Sequence, residues 1–134
     1  MKTFDTTAHG FRYPRLPQVL IFQPKYKMLS SDAKILYAVL LSLTELSEKN
    51  GWRDKEGKVY VIFTVKKTME LLHCASGKAV KVLRELDDES GTGLIHRVRR
   101  GQGNPDRIYV RYPVTELYNG TSPPNESHDE VIIG

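Results

Sequence analysis

"TVKKTMELLHCASGKAVKVLRELDD" occupies residues 64–88, and the fold follows from how it is read. Thr64 is a helix-capping residue type, and Met69 and Leu72 behind it are spaced for one buried face, which predicts a short helix over Val65–Leu72. "HCAS" at 73–76 reads as a tight turn, with Ser76 capping a second helix from Gly77 to about Asp88. Two short helices joined in this way form a helix-turn-helix. At about 100° per residue, Ala79, Val80, Val82, Leu83 and Leu86 fall on one broad side of the second helix, and Lys78, Lys81, Arg84 and Glu85 on the other. One side suits a core and the other suits a partner. The cations come first along this helix and Asp87, Asp88 and Glu89 come last, the reverse of what the helix dipole favours. That order predicts a basic half aimed at something anionic and a solvated acidic end pointing away.

Directly downstream, "LIHRVRRGQGNPDRIYVRY" (94–112) holds five arginines, Arg97, Arg99, Arg100, Arg107 and Arg111, against the single acid Asp106. The net charge of the chain is +4, so this stretch carries all of it and the remainder balances to zero. A local field of one sign attracts a polyanion. "LIHRVRR" and "RIYVRY" are strand-like, and "GQGNP" between them supplies turn residues. A hairpin after a helix-turn-helix is the pattern of a winged helix. The expected fold class is therefore α+β: a winged helix-turn-helix with three main helices, a small antiparallel sheet and a C-terminal β-hairpin wing. In such folds the second helix of the pair enters the major groove, and the hairpin tip follows the backbone or the neighbouring minor groove. Ser76, Lys78, Lys81 and Arg84 are then the recognition-helix candidates. Arg97, Arg99, Arg100 and Arg107 are phosphate clamps, because guanidinium forks match phosphate oxygens. Gln102 and Asn104 join them at the wing, and Thr64, Lys66 and Lys67 are further backbone contacts.

Upstream, "SSDAKILYAVLLSLTELSEKNG" begins with a Ser/Asp start signal and ends at Gly51. Ile35, Leu36, Val39, Leu40, Leu43 and Leu46 recur in it at helical spacing, which predicts the central core helix. "RDKEGK" reads as a turn, "VYVIF" (59–63) as a strand, and "VLIF" (19–22) as a short first strand. Residues 1–17, with Pro14 and Pro17 and no sustained periodicity, read as an extended arm. The folded domain is expected over 18–113. Residues 114–134 hold Glu116, Glu126, Asp129 and Glu130 without any Lys or Arg, and read as an acidic tail or the start of a linker.

A chain of 134 residues suits one domain, and 40% apolar with 27% charged residues is a globular composition. The longest apolar run, Ile35 to Leu43, is far short of the roughly 20 residues that span a bilayer, and the N-terminus lacks a signal-peptide core, so a cytoplasmic protein without membrane contact is expected. Cys74 is the only cysteine, and neighbouring His73 does not make it a nucleophile, since such pairs must meet in space. A small buried turn cysteine is the better reading. His9, His96 and His128 are scattered without metal-ligand spacing, and "GQGNP" lacks the Lys and helix of a phosphate-binding loop. No catalytic residue, metal or cofactor is expected.

Three separated stretches carry a family resemblance: "LSSDAKILYAVLLSLTELSEKNGWRDKEGKVYVIFT", "GKAVKVLRELD" and "GLIHRVRRGQGNPDRIYV". Together they resemble the N-terminal domain family of RepA-type plasmid replication initiators from low-GC Gram-positive bacteria, over roughly residues 11–112. The resemblance implies a homodimeric winged helix that binds repeated origin sequences (iterons) in double-stranded DNA. It places the DNA-facing residues at Ser76, Lys78, Lys81 and the arginines around Gly101 to Asn104, and the dimer contacts in the arm and first strand around Phe11 to Phe22. Family members usually continue into a DnaD-like domain that contacts host replication proteins, so this chain reads as a fragment of a longer initiator. "CASGKAV" departs from the pattern in being less basic at the start of the recognition helix, so the DNA sequence it reads would differ. The residues alone leave two alternatives open: a winged-helix transcriptional regulator, and an interaction adaptor that uses the basic hairpin to hold something other than DNA.

Overall fold

Ser30 leaves extended backbone and accepts a hydrogen bond from the Ala33 amide on its Oγ at 3.1 Å, which starts the longest helix of the domain. The computed structural model describes residues 13–88 and 90–113 of the chain. Its elements run α1 (Val19–Phe22), a 3-10 turn (Pro24–Tyr26), α2 (Ser31–Asn50), α3 (Val65–Leu72), α4 (Ser76–Leu86), β1 (Ile95–Val98) and β2 (Arg107–Val110). The order of helix, helix-turn-helix and hairpin is that of a winged helix. Residues 1–12 of the expected arm, Glu89 and the whole acidic tail at 114–134 lie outside the described residues.

Helix α2 is the central core element, but its buried face is not quite the expected one. Ala33, Leu36, Tyr37, Leu40 and Leu41 face inward, whereas Ile35 and Leu46 are about half exposed and Val39 and Leu43 are half-buried. Two apolar stripes interleave on this helix, and the one that includes the small Ala33 and the polar-tipped Tyr37 packs closest. Tyr37 is fully buried and its hydroxyl donates to the Arg111 carbonyl at 2.5 Å, which ties the helix to the chain just past β2. Leu83 and Leu86 of α4, Leu94, Ile95 of β1 and Ile108 of β2 close the core from the other side, with Leu20 and Tyr26 beneath. Each such side chain contributes roughly 1.5–3 kcal/mol through removal of apolar surface from water.

The segment expected as a first strand, "VLIF", is a single helical turn. Leu20 and Phe22 donate to the Pro17 and Gln18 carbonyls at 3.0 Å, and among the described residues no partner strand lies alongside to compete with those local bonds. Only Leu20 of that turn is buried. The strand expected over 59–63 is likewise reduced to isolated bridges, Arg53 with Val59 and Val61 with Ile108. Val61 and Ile108 exchange both backbone bonds, at 2.9 and 2.8 Å, so residue 61 stitches the start of the helix-turn-helix to the outer edge of the hairpin.

The helix-turn-helix itself matches its sequence signals with one change. Thr64 caps α3 by accepting from the Lys67 amide at 3.1 Å, and His73 (φ 55°) closes it in the left-handed conformation. Cys74, expected buried, is half-buried. Ala75 rather than Ser76 stands at the cap position of α4; Ser76 is already helical and makes no capping bond, and the helix ends at Leu86 with Asp87 as its last cap.

Gly51 ends α2 at φ 77°, with its amide donating to Glu48 and Ser47 carbonyls and open space where a Cβ would stand. Gly51→Ala is therefore expected to lower unfolding free energy by about 1 kcal/mol through backbone conformation alone, as measured by urea denaturation.

Candidate nucleic-acid interface

Helix α4 presents Ser76, Gly77, Lys78, Lys81 and Arg84 to solvent, while Ala79, Val82, Leu83 and Leu86 are buried. By helical angle, Gly77, Lys81 and Arg84 form the centre of the exposed strip and Lys78 and Glu85 form one flank. That flank faces the start of α2. Glu85 accepts from the Ser30 amide and the Ser30 hydroxyl, both at 2.8 Å, and Lys78 Nζ lies 2.8 Å from an Asp32 oxygen. The hydrogen bond and charge of Asp32 push the Lys78 ammonium above its usual range. Lys81 and Arg84 have no ion pair with any described residue. Among the four expected recognition residues, the structure thus leaves two side-chain cations unengaged, ties Lys78 to an acid, and places Ser76 at the exposed helix start.

On the opposite flank two of the acids expected as a solvated helix end, Asp87 and Asp88, are the mounting of the wing. Asp87 is buried, and Arg97 reaches it through Nε at 2.8 Å and a terminal nitrogen at 2.7 Å. Asp88 holds His96 Nδ1 at 2.7 Å and Arg111 at 3.3 Å, and Arg111 also donates to the Gly93 carbonyl at 2.9 Å. Asp87 and Asp88 are therefore explained by their own cations rather than by a need to point away from a partner.

Strand alternation explains why Arg97 differs from its neighbours. Register pairs Ile95 with Val110, His96 with Tyr109, Arg97 with Ile108 and Val98 with Arg107. Residues directly opposite share a face, so Arg97 stands on the core side with the buried Ile95 and Ile108. The phosphate clamp expected at Arg97 is corrected here, because its guanidinium is committed to Asp87 instead. Arg107 stands on the outer side, where its guanidinium lies over the Tyr60 ring at 4.2 Å. Such stacking occupies the face of the guanidinium, and part of its edge meets the Tyr109 hydroxyl.

Arg99 and Arg100 lie past the end of β1, exposed and without an ion pair among the described residues. Gln102 and Asn104 are exposed at the tip, where Gly101 (φ 95°) and Gly103 (φ 76°) allow the left-handed turn that brings the Asn104 amide onto the Gly101 carbonyl at 3.1 Å. Lys66 and Lys67 are exposed on the first turn of α3, and the Thr64 hydroxyl beside them is occupied as an acceptor by its capping bond. Among the described residues, cations without an ion pair thus stand exposed on the first turn of α3, on the outer strip of α4 and past the end of β1.

Sequence reasoning missed the residues that hold this arrangement. Asp32, Asp54, Tyr60, Glu85 and Tyr109 all act across long sequence separations. Tyr109 donates to an Asp54 oxygen at 2.8 Å, while the other Asp54 oxygen accepts from the Glu56 and Lys58 amides at 2.8 Å. Led by the Lys58 amide and then the Tyr109 hydroxyl, these bonds hold the Asp54 carboxyl below the usual carboxylate range. Among the described residues no cluster of three or more His, Cys, Asp or Glu is placed to hold a metal ion, and no helix is long and apolar enough to cross a membrane.

Asp87→Asn should lower stability by roughly 2 kcal/mol in urea unfolding, because it leaves a partly buried guanidinium without its counter-charge, whereas Arg99→Ala and Arg100→Ala should stay within about 0.5 kcal/mol of the parent. Because the Asp54 pKa is depressed by folding, its contribution is complete above the unfolded value and fades as pH falls. The stability advantage of the parent over Asp54→Ala should therefore be full at pH of about 6 and close progressively below about 4, followed by urea unfolding across that range.

Comparison with known proteins places the chain. The family model described as replication initiator protein A (RepA) N-terminus matches residues 12–119. A "41 kDa protein" of Lactobacillus helveticus is 32% identical over 117 residues, which cover 81% of this chain and 32% of the relative. The chain thus spans about a third of the length of the curated relative it matches. Among solved structures, an N-terminal domain of a DNA-binding protein and a Rep–DNA complex are each similar at a TM-score of 0.68 with 30% identity; they cover 92% of this chain, and 98% and 99% of their own. A structure of an MDR initiator is 34% identical at a TM-score of 0.63, covering 86% of this chain and 88% of that one. With its fold and most of its length matched, the chain belongs to the RepA N-terminus family of replication initiator proteins.

Proposed function

We propose that this domain binds double-stranded DNA in a sequence-dependent way as the N-terminal part of a plasmid replication initiator, and that its targets are repeated origin sequences, the iterons. The observation that carries the reading is selective pairing of charge. Lys78, Arg97 and Arg111 are matched by Asp32, Asp87 and Asp88, whereas Lys66, Lys67, Lys81, Arg84, Arg99 and Arg100 have no such partner among the described residues. Cations left unpaired on a helix-turn-helix and its wing are placed to meet a polyanion. Likeness to a Rep–DNA complex along nearly its whole length supports the choice of DNA as that polyanion.

In this reading α4 lies in the major groove with Ser76, Lys78, Lys81 and Arg84 toward the base edges, and Gly77 allows close approach. The wing supplies position and affinity: Arg99, Arg100 and the remaining donors of Arg107 engage phosphates, Gln102 and Asn104 line the tip, and Thr64, Lys66 and Lys67 contact the backbone from α3. Arg97 acts from behind, by holding the wing to α4. The work is binding rather than catalysis, it takes place in the cytoplasm, and it requires no cofactor. Pairing of two copies through the arm and α1 would match paired repeats, and the exposed Ile21 and Phe22 of α1 support that surface. Contact with host replication proteins would belong to the part of the longer relatives that this chain does not span.

The test is a titration of duplexes carrying candidate origin repeats against promoter fragments and random duplexes. Replacing Arg99 and Arg100 with Ala should weaken binding to every duplex and reduce the slope of log K against log salt by roughly 0.9 for each phosphate no longer engaged. Lys81→Ala should instead change which sequence is preferred. Weak binding to all duplexes without sequence preference would point to the adaptor reading, and preference for promoter fragments to a regulator.

A further inference from the structure

Asp32 lies in the first turn of α2, where an acid complements the helix dipole. Capping of that helix is done by Ser30, however, and the Asp32 carboxylate is turned instead to Lys78 Nζ at 2.8 Å. Its position is not casual. Glu85 binds Ser30 through both amide and hydroxyl, two residues before Asp32, and so fixes the start of α2 along the flank of α4. Lys78 and Glu85 are two turns apart on that flank, which makes the Glu85–Ser30 and Asp32–Lys78 contacts parallel struts between the same two helices.

A lysine ammonium is a compact charge on a flexible stem, and beside DNA it takes the nearest phosphate unless something restrains it. Phosphate contacts add affinity without sequence information. Of the cations on the exposed side of α4, Lys78 alone is restrained in this way among the described residues, and both members of the pair remain partly open to solvent. Resting on the reading of α4 as the DNA-facing helix, we propose that Asp32 is a specificity-determining positioning residue, which withholds Lys78 from the phosphate backbone unless a base edge offers an acceptor that replaces its carboxylate. A duplex that offers only phosphates faces a neutralised lysine. One that draws Lys78 away without a compensating acceptor leaves a bare carboxylate beside the phosphates. The acid thus discriminates by penalising the wrong site rather than by adding a contact to the right one.

The experiment uses the full chain and two probes: the duplex that it selects from a random-sequence library, and a random duplex of equal length. D32N is expected to tighten binding to the random duplex, steepen its salt dependence by about 0.9 in the log–log slope, and lower the ratio of selected to random affinity about fivefold. D32E keeps a carboxylate within reach and should restore the ratio. In a K78A background D32N should leave the ratio unchanged, because simple repulsion acts on both duplexes and cancels. A ratio that D32N does not move, or that falls equally in the K78A background, overturns the role of Asp32. Failure of the parent chain to bind any duplex overturns the DNA-binding reading itself. Lysine side-chain NMR of the unbound parent supplies a second measurement that does not depend on a variant folding: a hydrogen-bonded, slowly exchanging Lys78 ammonium is expected, and a freely exchanging one would sink the proposal.

Discussion

Everything on the exposed side of the domain depends on how α4 is held. Its apolar face gives it a place against α2 and the hairpin, but apolar burial is non-directional and leaves a helix free to roll by part of a turn. The Glu85 carboxylate removes that freedom on one flank by gripping the Ser30 amide and hydroxyl, and Asp87 removes it on the other by gripping Arg97. Hydrogen bonds to charged groups are worth about 1.5–3 kcal/mol each, and these two sets lie on opposite sides of the helix axis. The strip between them, Gly77, Lys81 and Arg84, is thereby aimed outward as a rigid unit.

The same contacts divide the cations into two populations. Arg97, half-buried, and Arg111, at the surface, join wing to helix, and Lys78 is restrained at the border. Lys81, Arg84, Arg99 and Arg100 are left to the solvent. Net charge does not describe such a surface, because a paired cation contributes little to the field outside while an unpaired one contributes fully within a Debye length of about 8–10 Å. The wing arginines also differ in mounting. Arg107 is stacked on Tyr60 and stiffened, whereas Arg99 and Arg100 follow the end of β1 beside a glycine-rich tip. A tip of that kind adapts to a backbone whose path varies, and a stacked guanidinium presents a fixed edge.

How legible the domain is in its residues depends on the range of the interaction. The Thr64 cap, the Ser30 start, the Gly51 stop and the turn glycines act within four residues of themselves, and each is readable. "VLIF" is not, because β-branched composition expresses a preference for a sheet that the tertiary fold does not offer to that segment, so local helical bonds prevail. "VYVIF" is half readable: a pairing exists, but Val61 alone exchanges bonds with the hairpin. Asp87 and Asp88 after α4 mislead for the same reason in reverse. Their partners Arg97, His96 and Arg111 are 8 to 23 residues away and converge only when the hairpin folds back.

The amino-acid sequence by itself determined the helix-turn-helix, the hairpin behind it and the concentration of positive charge in that hairpin, since periodicity, capping and composition are local properties of the chain. Which of those charges face outward was decided only by tertiary structure. Whether an arginine clamps a phosphate or a carboxylate depends on what stands within about 3 Å of it, and for Arg97 and Lys78 that neighbour comes from another element: Asp87 at the end of α4 and Asp32 at the start of α2.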